Sequence, residues 1–341
     1  MLSRIAEALY WMGRYLERAD DTARLLDVHV HRALVEATGD GDGRPLLFAV
    51  GFDALSDIGW SDDEAASLAG STIGPSGLAA PPIGLWSVTD KLAYDHDNPN
   101  SVAGSLMLAR ENAAGLREVL NTEVWEALNR THHELAQTVA SARDFGPHLF
   151  FQWVRERVAL IGGLVDNVLL HDDGWRFMMV GRCLERVDMT ARLLRAIPPD
   201  ADEGSWSGVL LSCGANDAFL RTHGGAIDRR RALEVLLQHP DFPRSASFSL
   251  RRAEECLRLI QTPGRSTRGR VVDALTADDG TVRILGRIRS EIDYSSPEEL
   301  DGDLAGVLQR LQHACIEASA SLTEHYFRRV AFIEWSSELA S

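Results

Sequence analysis

The stretch Gly13-Arg-Tyr-Leu-Glu-Arg-Ala-Asp-Asp-Thr-Ala-Arg-Leu-Leu26 occurs twice in this chain. Its second copy, Gly181-Arg-Cys-Leu-Glu-Arg-Val-Asp-Met-Thr-Ala-Arg-Leu-Leu194, differs only at Tyr15/Cys183, Ala19/Val187 and Asp21/Met189. So close a match marks an internal repeat, and a repeat of this kind sets the architecture. Around the first copy, apolar residues fall at Ile5, Leu9, Met12, Leu16, Ala19, Ala23 and Leu26. Alternating four- and three-residue spacing is the stripe of one buried helix face. Ser3 suits the N-cap, and the pattern predicts a helix to about Val35, stopped by Gly39-Asp-Gly-Asp-Gly43.

A second correspondence follows each copy in the same order. Asn98-Pro-Asn-Ser-Val-Ala-Gly-Ser-Leu106 matches Phe242-Pro-Arg-Ser-Ala-Ser-Phe-Ser-Leu250, each opening an amphipathic helix, and the segments Phe151–His171 and Gln309–His325 occupy equivalent places. Further helices are predicted at 45–56, 85–93, 100–119, 122–141, 147–170, 175–196, 204–221, 229–238, 245–261, 267–275, 280–293 and 300–336. The proline- and glycine-bearing stretches at Gly70–Gly84, Pro198-Pro199, Pro240–Pro243 and Thr262-Pro-Gly264 read as loops. No alternating run rich in β-branched residues argues for a sheet. The expected fold is all-α: a helical bundle formed by two tandem, pseudo-twofold-related helical repeats, 1–172 and 173–341, packed as a single domain.

The chain has 341 residues and a formal net charge of −15, from 35 basic and 50 acidic side chains. That charge repels nucleic-acid backbones and anionic membranes, so neither is an expected partner. Lys91 is the one lysine; every other cation is a planar guanidinium suited to bidentate contact with carboxylate or phosphate. The first twenty residues carry Arg4, Glu7, Arg14, Glu17 and Arg18, which leaves no apolar signal core. Val158–Leu170 is interrupted by Asp166 and Asn167 and is too short to span a bilayer. Cys183, Cys213, Cys256 and Cys315 form no ligand spacing and read as free thiols. The expected location is the cytoplasm.

At 100° per residue, Tyr10, Arg14, Glu17, Asp21 and Arg24 lie opposite the apolar stripe, with Arg18 and Asp20 on its flanks. The second copy repeats this with Arg182, Glu185, Arg186, Asp188 and Arg192. The spacing allows ion pairs within each helix, Arg14 with Glu17 and Asp20 with Arg24, and Arg182 with Glu185 and Asp188 with Arg192. A merely solvated face would drift between copies. Apart from Asp21/Met189 these charges match while the rest of the two halves has diverged, so both faces are constrained, by a charged network between the halves, by a shared anionic ligand, or by catalysis. Gly13 and Gly181 lower helix propensity by about 1 kcal/mol each relative to alanine, and a close helix crossing explains their presence.

Other constellations read as structural. Gly264-Arg-Ser-Thr-Arg-Gly269-Arg270 lacks the Lys-Ser/Thr pair of a phosphate loop and follows a helix. His29 and His31 point apart on one helix, His132-His133-Glu134 is an ordinary surface cluster, and no histidine follows Glu17 or Glu185 at the spacing of a helical dimetal site; no metal and no cofactor are expected. Ser101 and Ser245 suit N-caps. His96 and His239, shortly before those turns, suit either a ligand contact or a loop cap. Trp11, Trp153, Trp175 and Trp335 read as core anchors.

Leu16-Glu17-Arg18 and Leu184-Glu185-Arg186, each within Gly-Arg-x-Leu-Glu-Arg-x-Asp-x-Thr-Ala-Arg, resemble the glutamate-arginine motif of the bacterial alpha-E family, an all-helical family. Leu2-Ser3-Arg4, Tyr10-Trp11-Met12-Gly13-Arg14-Tyr15, Asn98-Pro99-Asn100-Ser101 and Asp173-Gly174-Trp175-Arg176-Phe177 are similar to it too, so the resemblance spans nearly the full chain. Phe242-Pro243-Arg244-Ser245 departs from the Asn-Pro form. Members are typically encoded beside, or fused to, a circularly permuted ATP-grasp ligase, often with a transglutaminase-like peptidase and sometimes a proteasome-like peptidase. The resemblance therefore implies a binding or assembly subunit acting with an ATP-grasp partner on a peptide-like, amide-linked product, with a peptide or amino-acid ligand. On this view Arg14, Arg18, Arg182 and Arg186 hold carboxylates of a substrate or partner, Glu17 and Glu185 orient those guanidiniums, and Asp20, Arg24, Asp188 and Arg192 complete the ligand-binding set. One alternative is an amide-forming or amide-transferring enzyme with Glu17 or Glu185 as a general base raised toward neutral pKa. The other is a non-catalytic scaffold whose motif face is an internal seam.

Overall fold

The first predicted helix forms over its full expected length. In a computed structural model, which describes residues 3–35, 43–50, 84–116, 118–261 and 280–327, α1 runs Ser3–Val35. At 1.5 Å per residue it is about 50 Å long. A short helix, α2 (Arg44–Val50), precedes α3 (Leu85–Tyr94), α4 (Val102–Ala114), α5 (Thr122–Phe145) and α6 (His148–Val168). After the turn at Asp172, α7 (Asp173–Ala196) carries the second motif copy. Then follow α8 (Glu203–Ser212), α9 (Asn216–Thr222), α10 (Arg229–Leu233, continued by a π turn Glu234–Gln238) and α11 (Ala246–Gln261). The last elements are α12 (Gly280–Tyr294), α13 (Pro297–Gly302) and α14 (Leu304–Leu322), which ends in a second π turn, Thr323–Phe327. The architecture is all-α, with no strand among the described residues.

Two predicted helices prove to be pairs. The 204–221 segment breaks at Gly214, whose φ of 62° is the left-handed region that glycine enters at least cost. The 300–336 segment breaks at Asp303, where φ is −123°. The helix predicted over 100–119 closes at Ala114, and the one over 122–141 extends to Phe145, where Gly146 at φ 99° turns the chain into α6. The predicted segment 267–275, the Gly264–Arg270 loop, Trp335, most of the Gly70–Gly84 loop and part of the turn after Val35 lie outside the described residues.

α1 and α7 pack directly on each other along the centre of the molecule. α4 and α6 cover α1, α11 and α14 cover α7, and α5 and α12 close the outer side by packing on α4 and α6 and on α11 and α14 respectively. The core is continuous across this arrangement, with Leu16, Ala23 and Leu26 of α1 and Leu184, Ala191 and Leu194 of α7 at its middle. Because both central helices are surrounded, their charged faces are buried too: Arg14, Glu17, Asp20, Glu185 and Asp188 all lie in the interior. Trp175 is buried and Trp11 and Trp153 pack partly buried against the core, as anchors. The four cysteines are free and buried, and burial raises their thiols, Cys183 to about 11, which makes them inert.

Gly13 and Gly181 set the distance between the central helices. A Cβ at Gly181 would collide with the Tyr10 carbonyl of α1, and one at Gly13 with the Met178 carbonyl of α7. Each glycine therefore faces backbone of the other helix. No helix among the described residues is long and apolar enough to cross a membrane.

Candidate functional site

The close crossing carries the motif side chains into each other's half. Glu185 of α7 accepts from Arg14 Nε at 2.5 Å and from Arg18 Nε at 2.6 Å and Nη2 at 3.2 Å. Glu17 of α1 accepts from Arg186 Nε at 2.7 Å and Nη2 at 2.9 Å, with Arg182 Nε at 3.6 Å. The pattern is reciprocal: the glutamate of each copy is held by both arginines of the other. The expected pairing of Arg14 with Glu17 and of Arg182 with Glu185 along one helix is thus corrected. Packing puts each carboxylate across the seam, where the facing guanidiniums present their forks to it. Asp20 with Arg24 at 2.9 Å and Asp188 with Arg192 at 3.0 Å do pair within their helices.

The outer edges of the arginines are also engaged. Arg14 Nη1 donates to Tyr10 Oη at 3.1 Å and to Ser319 Oγ of α14 at 3.0 Å. Arg182 lies over Gly162 of α6. Arg18 Nη1 donates to Asn100 Oδ1 at 3.0 Å, and Arg186 Nη1 to the Pro243 carbonyl at 2.9 Å. Both turns singled out in the sequence therefore brace the clasp. Their serines cap the following helices, Ser101 Oγ accepting from Gly104 N at 2.9 Å and Ser245 Oγ from Phe248 N at 3.1 Å. Of the two histidines before them, His96 meets Asp97, and His239 meets Thr222 and the Asp241 amide.

Both glutamates are 2% exposed in their side chains. Burial alone would raise them. The facing arginines outweigh burial, bringing Glu185 to about 2 through Arg14 and Arg18 and lowering Glu17 well below the carboxylate range through Arg186, Arg244 and Arg182. The expectation of a general base raised toward neutral pH is therefore corrected for both residues, because neither carboxylate is buried without cations.

Arg244 is a site residue that the sequence reading did not include. It stands 3.1 Å from Glu17 Oε1 and 3.1 Å from Asp20 Oδ2, and it pairs with Asp21. The carboxylates of Glu17, Asp20 and Asp21 lie close enough to share a cation, and in this structure the Arg244 guanidinium stands among them. A signal for it was present: Arg244 aligns with Asn100 and Asp21 with Met189, so two of the departures from the repeat fall on one contact. The second turn exchanged an amide for a cation where α1 exchanged an apolar residue for an acid. Arg244→Asn should destabilise by roughly 1–3 kcal/mol, since it takes the cation from Asp21 and one of the cations from Glu17 and Asp20, which keep Arg186 and Arg24. Adding Asp21→Met should restore part of the loss by rebuilding the Asn100/Met189 arrangement, with a coupling energy of roughly 0.5–3 kcal/mol in urea unfolding. Additive losses would show that the two positions are independent.

An all-α bundle closed by a reciprocal glutamate-arginine clasp is the class of protein that fold and site define. The chain belongs to the Alpha-E family, described as a predicted alpha-helical domain with a conserved ER motif, whose model matches residues 1–327. It is 26% identical, over 94% of its length, to uncharacterized proteins of Mycobacterium bovis and Mycobacterium tuberculosis. The chain spans 36% of the length of those relatives. No solved structure matches it.

Proposed function

We propose that this chain is a non-catalytic binding or assembly subunit that works with an ATP-grasp ligase in making or modifying a peptide-like, amide-linked product in the cytoplasm. The observation that carries the non-catalytic part is the clasp: the carboxylates that Arg14, Arg18, Arg182 and Arg186 hold are the protein's own. Glu17 and Glu185 are each held by guanidiniums of the other helix and lowered below the ordinary carboxylate range, which makes each a poor proton acceptor. The motif is then an internal seam that joins two copies of one helical unit, 1–172 and 173–341. The matching order of contacts supports this duplication, with α4, α5 and α6 arranged around α1 as α11, α12 and α14 are around α7. The choice of partner rests on the family resemblance, which implies a circularly permuted ATP-grasp protein beside or fused to the chain, often with a transglutaminase-like peptidase. The greater length of the mycobacterial relatives agrees with a unit that functions next to further polypeptide.

The test is turnover. The purified chain is incubated with ATP and candidate amino acids, alone and with a circularly permuted ATP-grasp protein, while ADP and product are followed. The expected result is no turnover by the chain alone and a rate in the mixture above that of the ligase alone. Turnover by the chain alone, or a ligase indifferent to it, overturns the reading.

A further inference from the structure

Away from the clasp, the C-terminal end of α7 and the adjoining face of α14 enclose an open cleft of about 550 Å³. Its lining includes Arg192, Arg195, Gln309, Arg310, Gln312 and His313, and no carboxylate among the described residues lines it. On a chain of net charge −15, that concentration of cations runs against the overall field. The carboxylates that brace these cations stand behind the lining, so an anion entering the concave side meets guanidinium N–H groups first.

Arg192, Arg310 and His313 are braced by carboxylates outside the lining, and Arg195 by Gln312 within it. Asp188, itself buried, holds Arg192 by Nε at 3.0 Å. Arg310 is held by Glu291 at 2.7 Å and Asp303 at 3.0 Å, both through Nη2, with a further bond from Nε to Glu291. Arg195 donates to Gln312 Oε1. Glu317 holds His313 at 3.3 Å. A guanidinium carries five N–H donors, more than the bonds of Arg192 to Asp188 or of Arg310 to Glu291 and Asp303 use. Anchored at one edge, each is preorganised to present the other.

The fold does not require this cleft. In the aligned repeat, Arg195 corresponds to Asp27 of α1. There the same helical position is acidic and is met by His148 at 2.7 Å and Arg155 at 3.5 Å. The two halves pack alike around their central helices, yet only the second sets arginines against α14 at this place. A packing role common to both halves therefore does not account for Arg195.

We propose that this cleft binds a small multivalent oxyanion, with Arg192, Arg195 and Arg310 contacting its charged oxygens and Gln309 and Gln312 supplying neutral hydrogen bonds. The volume suits a small molecule, and planar guanidiniums match both carboxylate and phosphate oxygens bidentately. The proposal concerns the chain alone and stands apart from any ligase partner.

Calorimetric titration of the full chain with inorganic pyrophosphate and, separately, with citrate tests it. The expected result is saturable 1:1 binding of at least one probe with Kd below about 1 mM at low ionic strength. Pyrophosphate alone would identify a phosphate ligand and citrate alone a carboxylate ligand. Arg195→Asp, which installs the residue that the first half carries, and Arg310→Ala should each weaken binding about tenfold or more. Arg155→Ala, in the first half, should leave it unchanged, and thermal unfolding checks that each variant is folded. Absence of binding by both probes overturns the proposal, as does equal affinity in folded Arg195→Asp.

Discussion

Glu185→Ala is expected to destabilise the protein by roughly 3–5 kcal/mol, among the largest losses any single side chain can cause here, because it leaves buried cations without their counter-ion. Arg14 and Arg18 both direct Nε at that carboxylate, and Arg14 lies in the interior beside Tyr10 and Ser319, where water cannot replace the lost acceptor. Glu17→Ala should be comparable, with Arg182 and Arg186 stranded and Arg244 left with Asp20 and Asp21. For a chain of this length the melting temperature should fall on the order of 10 °C. Glu185→Gln, which keeps one oxygen acceptor, should lie between alanine and wild type. The clasp also sets an acid limit. Glu185 titrates near 2 in the fold against an ordinary 4.5, so its contribution is complete above the unfolded value and is lost as pH falls from there toward 2. Urea unfolding at several pH values reads both effects. A Glu185→Ala unfolding free energy within about 0.5 kcal/mol of wild type would show that the clasp does not hold the seam.

Much of this organisation was legible in the sequence, and what was missed has identifiable causes. The stripe from Ile5 to Leu26 is enough to predict α1, since its period is a local property. The burial of the opposite face is not local: Arg14 and Glu17 become interior only because α7 covers them. The direction of the ion pairs was equally hidden, because three-residue spacing permits an intrahelical bond and helix packing alone decides against it. The identity of the charges in both copies correctly marked a constraint. Its nature followed from geometry, since the arginines of one copy and the glutamate of the other meet only when the two helices cross. Arg244 was readable in principle from the two coupled departures at Asn100/Arg244 and Asp21/Met189. Gly214 and Asp303 divided predicted helices because a single backbone dihedral there overrides an otherwise helical pattern.

Gly181→Ala should cost at least about 2 kcal/mol, although alanine is the better helix former by about 1 kcal/mol. The sign is set by what the new methyl meets. At Gly181 it strikes the Tyr10 carbonyl, and at Gly13 the Met178 carbonyl, and backbone held in a helix cannot rotate aside as a flexible side chain can. Relief requires α1 and α7 to separate, which stretches the bonds from Arg14 and Arg18 to Glu185 and from Arg186 to Glu17. Gly163→Ala in α6 is the matched control: its Cβ would meet nothing within 4 Å, so the change should stabilise by up to about 1 kcal/mol. Chemical unfolding of the two variants side by side distinguishes crossing distance from propensity, and a Gly181→Ala protein as stable as Gly163→Ala would mean that the seam tolerates separation. Because the glycine and the clasp share one interface, Gly181→Ala combined with Glu185→Ala should lose less than the sum of the two single changes. A seam already forced open has less of its ion pairing left to lose.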